Sequence, residues 1–167
     1  MGRFFRQAAI IAGKDLTLEL RSRGRITSML VFGALVAVIF SFALDPTLPT
    51  RGLAGAMLWV TVILAALLGL GRAYVVDREQ DALTGLLLAP LDRGALYLGK
   101  FIANLTLLLI TELVIFPAFA LFFQLQFGPV LPALILIVVL ASVGIVALGT
   151  LLGSIAGGTR LGETLLP

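Results

Sequence analysis

The side chains able to carry chemistry are few in this sequence and of limited type. Histidine and cysteine are absent, which removes the commonest general base, the commonest ligand of haem and zinc, thiolate metal sites and disulfides. The densest group of acids lies in "YVVDREQDALTGLLLAPLDRGALYLGK", residues 74–100. No nucleophile can be paired with a base there. We therefore expect no catalytic, metal or cofactor site in this chain.

A nucleotide-binding loop is also missing from the sequence. The glycine-containing stretch "GLGR", residues 69–72, lacks the G-x-x-x-x-G-K-[ST] pattern that cradles phosphates, and it lies at the edge of an apolar run. Any ATP hydrolysis linked to this protein must therefore take place on another chain.

The composition indicates an integral membrane protein. Hydrophobic residues make up 60% of the chain, charged residues 13%, and the mean hydropathy is +1.13. A soluble domain of 167 residues could not build a polar surface from that composition. The net charge of +3 does not indicate nucleic-acid binding, because the basic residues flank apolar runs, where they set topology.

Four apolar runs predict an all-α, polytopic bundle of transmembrane helices in a single domain. The runs cover residues 26–44, 53–71, 101–123 and 130–157. At about 1.5 Å per residue, each is long enough to cross a hydrocarbon core roughly 30 Å thick.

The basic residues predict the orientation of these spans. Eleven of the twelve lysines and arginines lie before the first run, between the second and third, or after the fourth, and only Arg51 lies in the other loops. Basic loops stay in the cytoplasm. We therefore expect both ends of the chain, and the loop at 72–100, to be cytoplasmic.

Residues 1–25 predict an amphipathic helix in the cytoplasmic interface. Apolar residues recur at helical spacing, and basic residues project from the opposite side. The apolar set is Phe5, Ala8, Ala9, Ala12, Leu16 and Leu20, and the basic set is Arg3, Arg6, Lys14 and Arg21. Glu19 falls on the apolar side and does not fit this pattern. The helix is either a topology signal alone or an elbow that also contacts a partner.

The charged segment at 77–94 predicts a short cytoplasmic helix between the second and third spans. Asp77 or Asp81 can cap its start, and Pro90 ends it, after which a new helix begins around Asp92. Three leucines share one face of it: Leu83, Leu86 and Leu87. This helix either docks on a partner or rests in the lipid head groups.

Polar and small residues inside the spans are further candidates. Glu112 is costly in a membrane, so it lines the bundle interior or a partner interface, or it snorkels or bonds a neighbouring backbone. Pro117 is expected to kink the third span. Gly149, Gly153 and Gly157 repeat every four residues, a pattern that lets helices pack closely within the subunit or against a second copy.

The segment at 77–100 resembles the coupling loop of type-2 ABC export permeases, with an acidic cluster, an apolar helix, a proline and a downstream Gly-Lys. Over most of its length the chain resembles the permeases of the cytochrome c maturation system, the haem exporter protein B (CcmB) family. The resemblance rests on "KDLTLELRSR" (14–23), "FSFAL" (40–44), the stretch at 58–105, "TELVIFPAFALFF" (111–123) and "LGTLLGSIAGGTR" (148–160). Two positions depart from the family pattern, which has glycine at Asp81 and an acid at Thr84.

The resemblance implies a permease of the bacterial inner membrane that couples ATP hydrolysis by a partner ATPase to haem export or to release of a haem-loaded chaperone. Haem would be handled by the complex, which includes a haem-handling membrane subunit, and a second copy of the chain is a possible partner. The ATPase-coupling residues would be Asp77, Arg78, Glu79, Asp81, Leu83, Leu86, Leu87 and Pro90. Family members usually have six spans, so we expect this chain to be incomplete at its C-terminal end.

Two other functions fit the same residues. The coupling loop would serve equally in a type-2 ABC permease that exports a lipid, a drug or a glycan. A protein of a different class, a membrane scaffold that transports nothing, would also keep four spans and a basic cytoplasmic side.

The orientation can be tested by labelling, because the chain contains no cysteine. Single cysteines at Thr47 and Thr84 should react with a membrane-impermeant maleimide from opposite sides of the membrane. A cysteine replacing Ser22 serves as a second cytoplasmic marker. Labelling of Thr47→Cys and Thr84→Cys from the same side would contradict the predicted topology.

Overall fold

The computed structural model describes residues 2–43, 51–79, 92–125 and 128–158, with side chains at 2–43, 53–71, 92–125 and 128–154. Four of its helices contain stretches long and apolar enough to cross a membrane, so the predicted all-α polytopic bundle is confirmed. The described helices are α1 (Gly2–Ser22), α2 (Gly24–Ala43), α3 (Arg51–Glu79), α4 (Arg93–Phe122) and α5 (Leu131–Gly158), with a 3₁₀ turn at Gly128–Val130.

The charged segment differs in part from its prediction. Helix α3 continues to Glu79, so Asp77 lies in its last turn and does not start a new helix. The new helix around Asp92 is observed: Asp92 is the N-cap of α4, and its side chain accepts a hydrogen bond from the Gly94 amide at 2.8 Å. The short helix predicted between α3 and α4 lies outside the described residues.

A one-residue elbow joins α1 to α2. Arg23 has φ 53°, in the left-handed region that a helix end adopts. Its amide donates to the Glu19 carbonyl at 2.6 Å, which closes α1, and its own carbonyl accepts from Thr27 at 3.0 Å, which opens α2. The chain therefore turns without a loop, and α1 is held directly to the first candidate span, α2.

The bundle interior is made of apolar side chains from α2, α3, α4 and α5. The largest of them include Met29, Leu58, Leu108, Phe119 and Val146, all buried. Many other large apolar residues are exposed on the outside of the bundle. In water this surface would be unfavourable, whereas in a bilayer it is matched by lipid.

Helix α1 packs mainly on α4. Ala8, Ile11 and Ala12 are buried, whereas Phe5 and Leu20 are 61% and 62% exposed. Phe5 and Leu20 therefore lie outside the contact with α4, and their position in the membrane interface stays a prediction. Small residues allow the helix axes to approach closely, which leaves the bulky side chains of α1 to cover the outside.

Gly99 marks the point of closest approach between α1 and α4. A Cβ built on Gly99 would lie 2.7 Å from the Cβ of Ile11 and 2.8 Å from the Ala8 carbonyl oxygen. One of these neighbours is backbone, so a side chain at this position can be accommodated only if the helices separate.

We predict that Gly99→Ala destabilises the protein by about 1–3 kcal/mol, because overpacking pushes α1 away from α4. Gly13→Ala is the matched control, since no atom lies within 4 Å of a Cβ at that position of α1. Thermal unfolding in detergent, followed by circular dichroism, should show a lower midpoint only for Gly99→Ala. Equal midpoints for both variants would contradict the close contact.

Candidate functional site

A buried carboxylate lies where α1, α2 and α4 meet. Glu19 is 6% exposed. Its Oε1 accepts hydrogen bonds from the backbone amides of Arg25 and Ile26, at 2.7 and 3.0 Å, and these amides belong to the first turn of α2. The carboxylate thus satisfies two amides that have no partner within the helix, and its negative charge faces the positive end of the α2 dipole.

Arg25 extends this contact across the bundle. Its Nε donates to Glu19 Oε2 at 3.0 Å, and its Nη1 donates to Asn104 Oδ1 of α4 at 3.1 Å. The Asn104 amide in turn donates to the hydroxyl of Thr150 on α5 at 3.3 Å. We call Glu19, Arg25, Asn104 and Thr150 the Glu19 cluster. It joins four of the five described helices through side-chain polar groups.

Two further polar contacts flank the Glu19 cluster. Lys100 Nζ lies 3.4 Å from Asp15 Oδ2, which links α4 to α1 beside Gly99. The Tyr97 hydroxyl donates to the Ala147 carbonyl oxygen of α5 at 3.0 Å. The beginning of α4 is consequently tied on one side to α1 and on the other to α5.

The arrangement suits mechanical linkage better than chemistry. A guanidinium stays protonated at ordinary pH and therefore does not act as an acid or a base. Both oxygens of its carboxylate partner already accept hydrogen bonds. The Arg25 and Glu19 side chains are only 11% and 7% exposed, so loss of either leaves a buried charge. Displacement of α1 or the start of α4 must therefore move the other helices of the cluster as well.

Glu112 forms a second buried polar contact, deeper in the bundle. It is 3% exposed, and its Oε1 accepts a hydrogen bond from the Ser142 hydroxyl of α5 at 2.7 Å. Glu112 thus lies inside the bundle, and its partner on the neighbouring helix is a side chain and not the backbone. Pro117 follows within α4, which continues past it to Phe122.

The remaining predicted site residues are dispersed. Gly149 lies against Leu70 of α3, a contact within the same chain, and Gly153 and Gly157 continue along α5. Asp77, Arg78 and Glu79 end α3. The other predicted coupling residues lie outside the part of the chain that the structure describes: Asp81, Leu83, Leu86, Leu87 and Pro90.

Sequence reasoning missed the Glu19 cluster. Glu19 violates the amphipathic pattern of α1, and that misfit is the signal that could have identified it. An acid on the apolar face needs a buried cation or free amides, and Arg25 stands six residues later, at the start of a span. Asn104, an amide within an apolar run, carried the same kind of signal.

The fold and the Glu19 cluster define a multi-pass helical membrane protein in which an amphipathic elbow helix is fixed to a four-helix bundle by buried charge. The chain belongs to the CcmB protein family, whose sequence model matches residues 6–167. A comparison with solved structures finds no match.

Relatives that share one name occur in several bacteria. Heme exporter protein B of Paracoccus denitrificans is 29% identical over 92% of this chain and 70% of its own length. The proteins of that name from Rhodobacter capsulatus and Pseudomonas aeruginosa are 27% and 26% identical, over 94% and 95% of this chain and 72% and 71% of theirs. The likeness therefore extends through all the described helices.

We predict that Glu19→Ala destabilises the protein by about 3–5 kcal/mol, because it leaves Arg25 buried without its carboxylate and the first amides of α2 without an acceptor. Glu19→Gln should lose less, since an amide oxygen can still accept. The control is Lys14→Ala, whose ion pair with Asp15 has a lysine side chain 41% exposed and should contribute at most about 1 kcal/mol.

Chemical denaturation of the purified variants in detergent measures these differences. The double variant Glu19→Ala with Arg25→Met should recover part of the stability lost in Glu19→Ala, since no unpaired charge remains. A Glu19→Ala protein as stable as Lys14→Ala would show that the cluster does not hold the elbow.

Proposed function

We propose that this chain is the permease component of an ABC transporter complex of cytochrome c biogenesis. A partner ATPase hydrolyses ATP, and the permease couples that hydrolysis to export of haem or to release of a haem-loaded chaperone from a haem-handling membrane subunit. Haem is cargo of the complex and ATP is bound by the partner, so this chain carries no cofactor of its own.

The observation that carries the proposal is the family match over nearly the whole chain. The relatives are named for haem export, and each aligns over more than nine-tenths of this chain. The four candidate spans are consistent with a permease.

The position of the Glu19 cluster supports a route for the coupling. A partner that pushes on residues 77–94 acts on the chain up to the first residues of α4, which Asp92 caps. The first turns of α4 contact α1 at Gly99 and, through Lys100, at Asp15. Movement there passes through Asn104 to α2 and α5. The ATPase thereby reaches three spans through one point of contact.

The basic residues support a cytoplasmic position for this machinery in the bacterial inner membrane. The N-terminal helix, the start of α4 and the segment that precedes it carry most of the lysines and arginines of the chain. An ATPase works on that side, so this orientation would bring the coupling segment, α1 and the partner together.

The proposal predicts that Leu86→Asp combined with Leu87→Asp detaches the ATPase. Each leucine buried in a docking cleft contributes about 1.5–3 kcal/mol, and the aspartates would be buried without partners. Co-purification from membranes that contain the whole complex should show at least tenfold less ATPase on the double variant. Membrane insertion of the permease should be unchanged.

Arg78→Glu is the control, because an ion pair at the rim of an interface contributes little. Its complex should retain most of the ATPase. Normal recovery of the ATPase with the double aspartate variant would exclude the leucines as the docking element. Recovery of a glycan- or lipid-modifying enzyme in place of cytochrome c maturation proteins would exclude the proposed cargo.

A further inference from the structure

Glu112 stands alone as a titratable side chain within the apolar runs of this sequence. Apart from it, these runs contain no acid, no basic residue and no tyrosine: residues 26–44, 53–71, 101–123 and 130–157. Glu112 is 3% exposed, and the space beside it is lined by apolar side chains such as Leu109, Leu113 and Val139. A carboxyl group in such surroundings needs either a compensating positive charge or a proton.

The described part of the chain offers nothing to compensate a negative charge on Glu112. Glu112 lies well inside α4 and Ser142 well inside α5, so neither helix places free N-terminal amides at this contact. A metal ion would need several oxygen ligands, whereas the described residues contain no group of three metal-ligating side chains. A cation from a partner cannot reach Oε2 while the helices stay in place, because that oxygen is buried within this chain. The neutralising group that remains is a proton.

The contact with Ser142 fits a protonated carboxyl group. The Ser142 hydroxyl lies 2.7 Å from Glu112 Oε1 and 2.8 Å from the Val138 carbonyl oxygen, and it has one proton to donate. If Oε1 carries a proton, it donates to Ser142 and Ser142 donates to Val138, so both short distances are hydrogen bonds. If Glu112 is ionised, Ser142 can donate fully to only one of the two oxygens, and a buried charge is left with at most one donor.

The environment of Oε2 indicates which oxygen holds the proton. Oε2 is buried and has no hydrogen-bond partner among the residues that the structure describes. A proton on Oε2 would therefore be a buried donor without an acceptor, whereas a proton on Oε1 leaves Oε2 as an unpaired carbonyl oxygen. Unpaired buried acceptors are tolerated more often than unpaired buried donors. The proton on Oε1 consequently leaves no donor of Glu112 or Ser142 unsatisfied.

We propose that Glu112 is a proton-binding residue, a neutral carboxylic acid that donates through Oε1 to Ser142 and holds α5 against α4 only while it keeps its proton. Ionisation would replace this hydrogen bond with a buried charge, which water can compensate only if α4 and α5 move apart. The contact is therefore sensitive to protons although it lies inside the bundle. The proposal does not depend on the transported cargo or on the ATPase.

Infrared spectroscopy of the purified full chain tests the protonation state directly. The chain is kept in dodecyl maltoside, a detergent without carbonyl groups, because a protonated carboxyl group is recognised by a carbonyl stretching band distinct from the bands of carboxylates and the peptide backbone. We expect this band in the native chain at neutral pH. Glu112→Gln should remove it. Ser142→Ala should retain the band at a higher frequency, because the carboxyl group then lacks its hydrogen-bond acceptor.

The pH dependence of stability tests the contact between α4 and α5. Above mildly acidic pH the unfolded chain releases the Glu112 proton to water, whereas the folded chain keeps it. The folded state then binds one proton more than the unfolded state, so stability falls as pH rises until the folded acid also ionises. The unfolding equilibrium constant should increase by up to about tenfold per pH unit from this residue.

Two variants isolate this effect in guanidinium denaturation of the detergent-solubilised chain. Glu112→Gln keeps the shape of the neutral acid and a permanent N–H donor for Ser142, so it should lack this part of the pH dependence. Thr111→Val is the matched control: it removes the neighbouring buried hydroxyl, which donates to the Leu107 carbonyl oxygen, and changes no titratable group. Its pH dependence should equal that of the native chain.

Absence of the protonated-carboxyl band from the native chain at neutral pH would show that Glu112 is ionised and would overturn the proposal. A band that is unchanged in both Glu112→Gln and Ser142→Ala would belong to another acid and would also overturn it. Equal pH dependence of the native chain and Glu112→Gln would show that the contact does not depend on the proton. If Glu112→Gln does not fold, the displacement of the band in Ser142→Ala still decides its assignment.

Discussion

The Glu19 carboxylate is the contact on which the packing of α1 against the rest of the bundle depends. It receives two backbone amides from the first turn of α2 and the guanidinium of Arg25. The same carboxylate serves the partly buried amides and the Arg25 Nε, so the ion pair and the helix cap stabilise each other. The left-handed residue Arg23 is tolerated because the contacts on both sides of it hold the elbow in place.

A bilayer gives this contact its importance. Apolar side chains gain little by leaving lipid for the bundle interior, so helices in a membrane are held by close packing and by polar contacts. Gly99 allows α1 to approach α4, and Gly33 lies 2.6 Å, measured from a built Cβ, from the Ile115 side chain in the α2–α4 contact. Packing of this kind sets the distances between helices, whereas the Glu19 cluster sets their register.

The two buried glutamates differ in how completely they are satisfied. Glu19 uses both oxygens within the protein, which is the arrangement of a structural carboxylate. Glu112 uses one, with Ser142, and its other oxygen is buried and has no hydrogen bond from the described residues. Both are acids on predicted helices and both are nearly inaccessible to water, so burial alone does not show how each carboxyl group is satisfied.

The sequence by itself determined the class of the protein, the four spans and the start of α4. The length of an apolar run and a capping aspartate act through lipid and through the nearby helix backbone, so neither depends on distant parts of the chain. The resemblance to the CcmB family followed from ordered motifs in the same way. Tertiary structure alone decided which face of α1 is buried and what Glu19 does. Arg25 is close in sequence, but Asn104 and Thr150 are brought to it only by the packing of α4 and α5. Helical periodicity predicts an average apolar face, whereas packing against α4 decides that the small residues of α1 are buried, and the start of α2 provides the partners of Glu19.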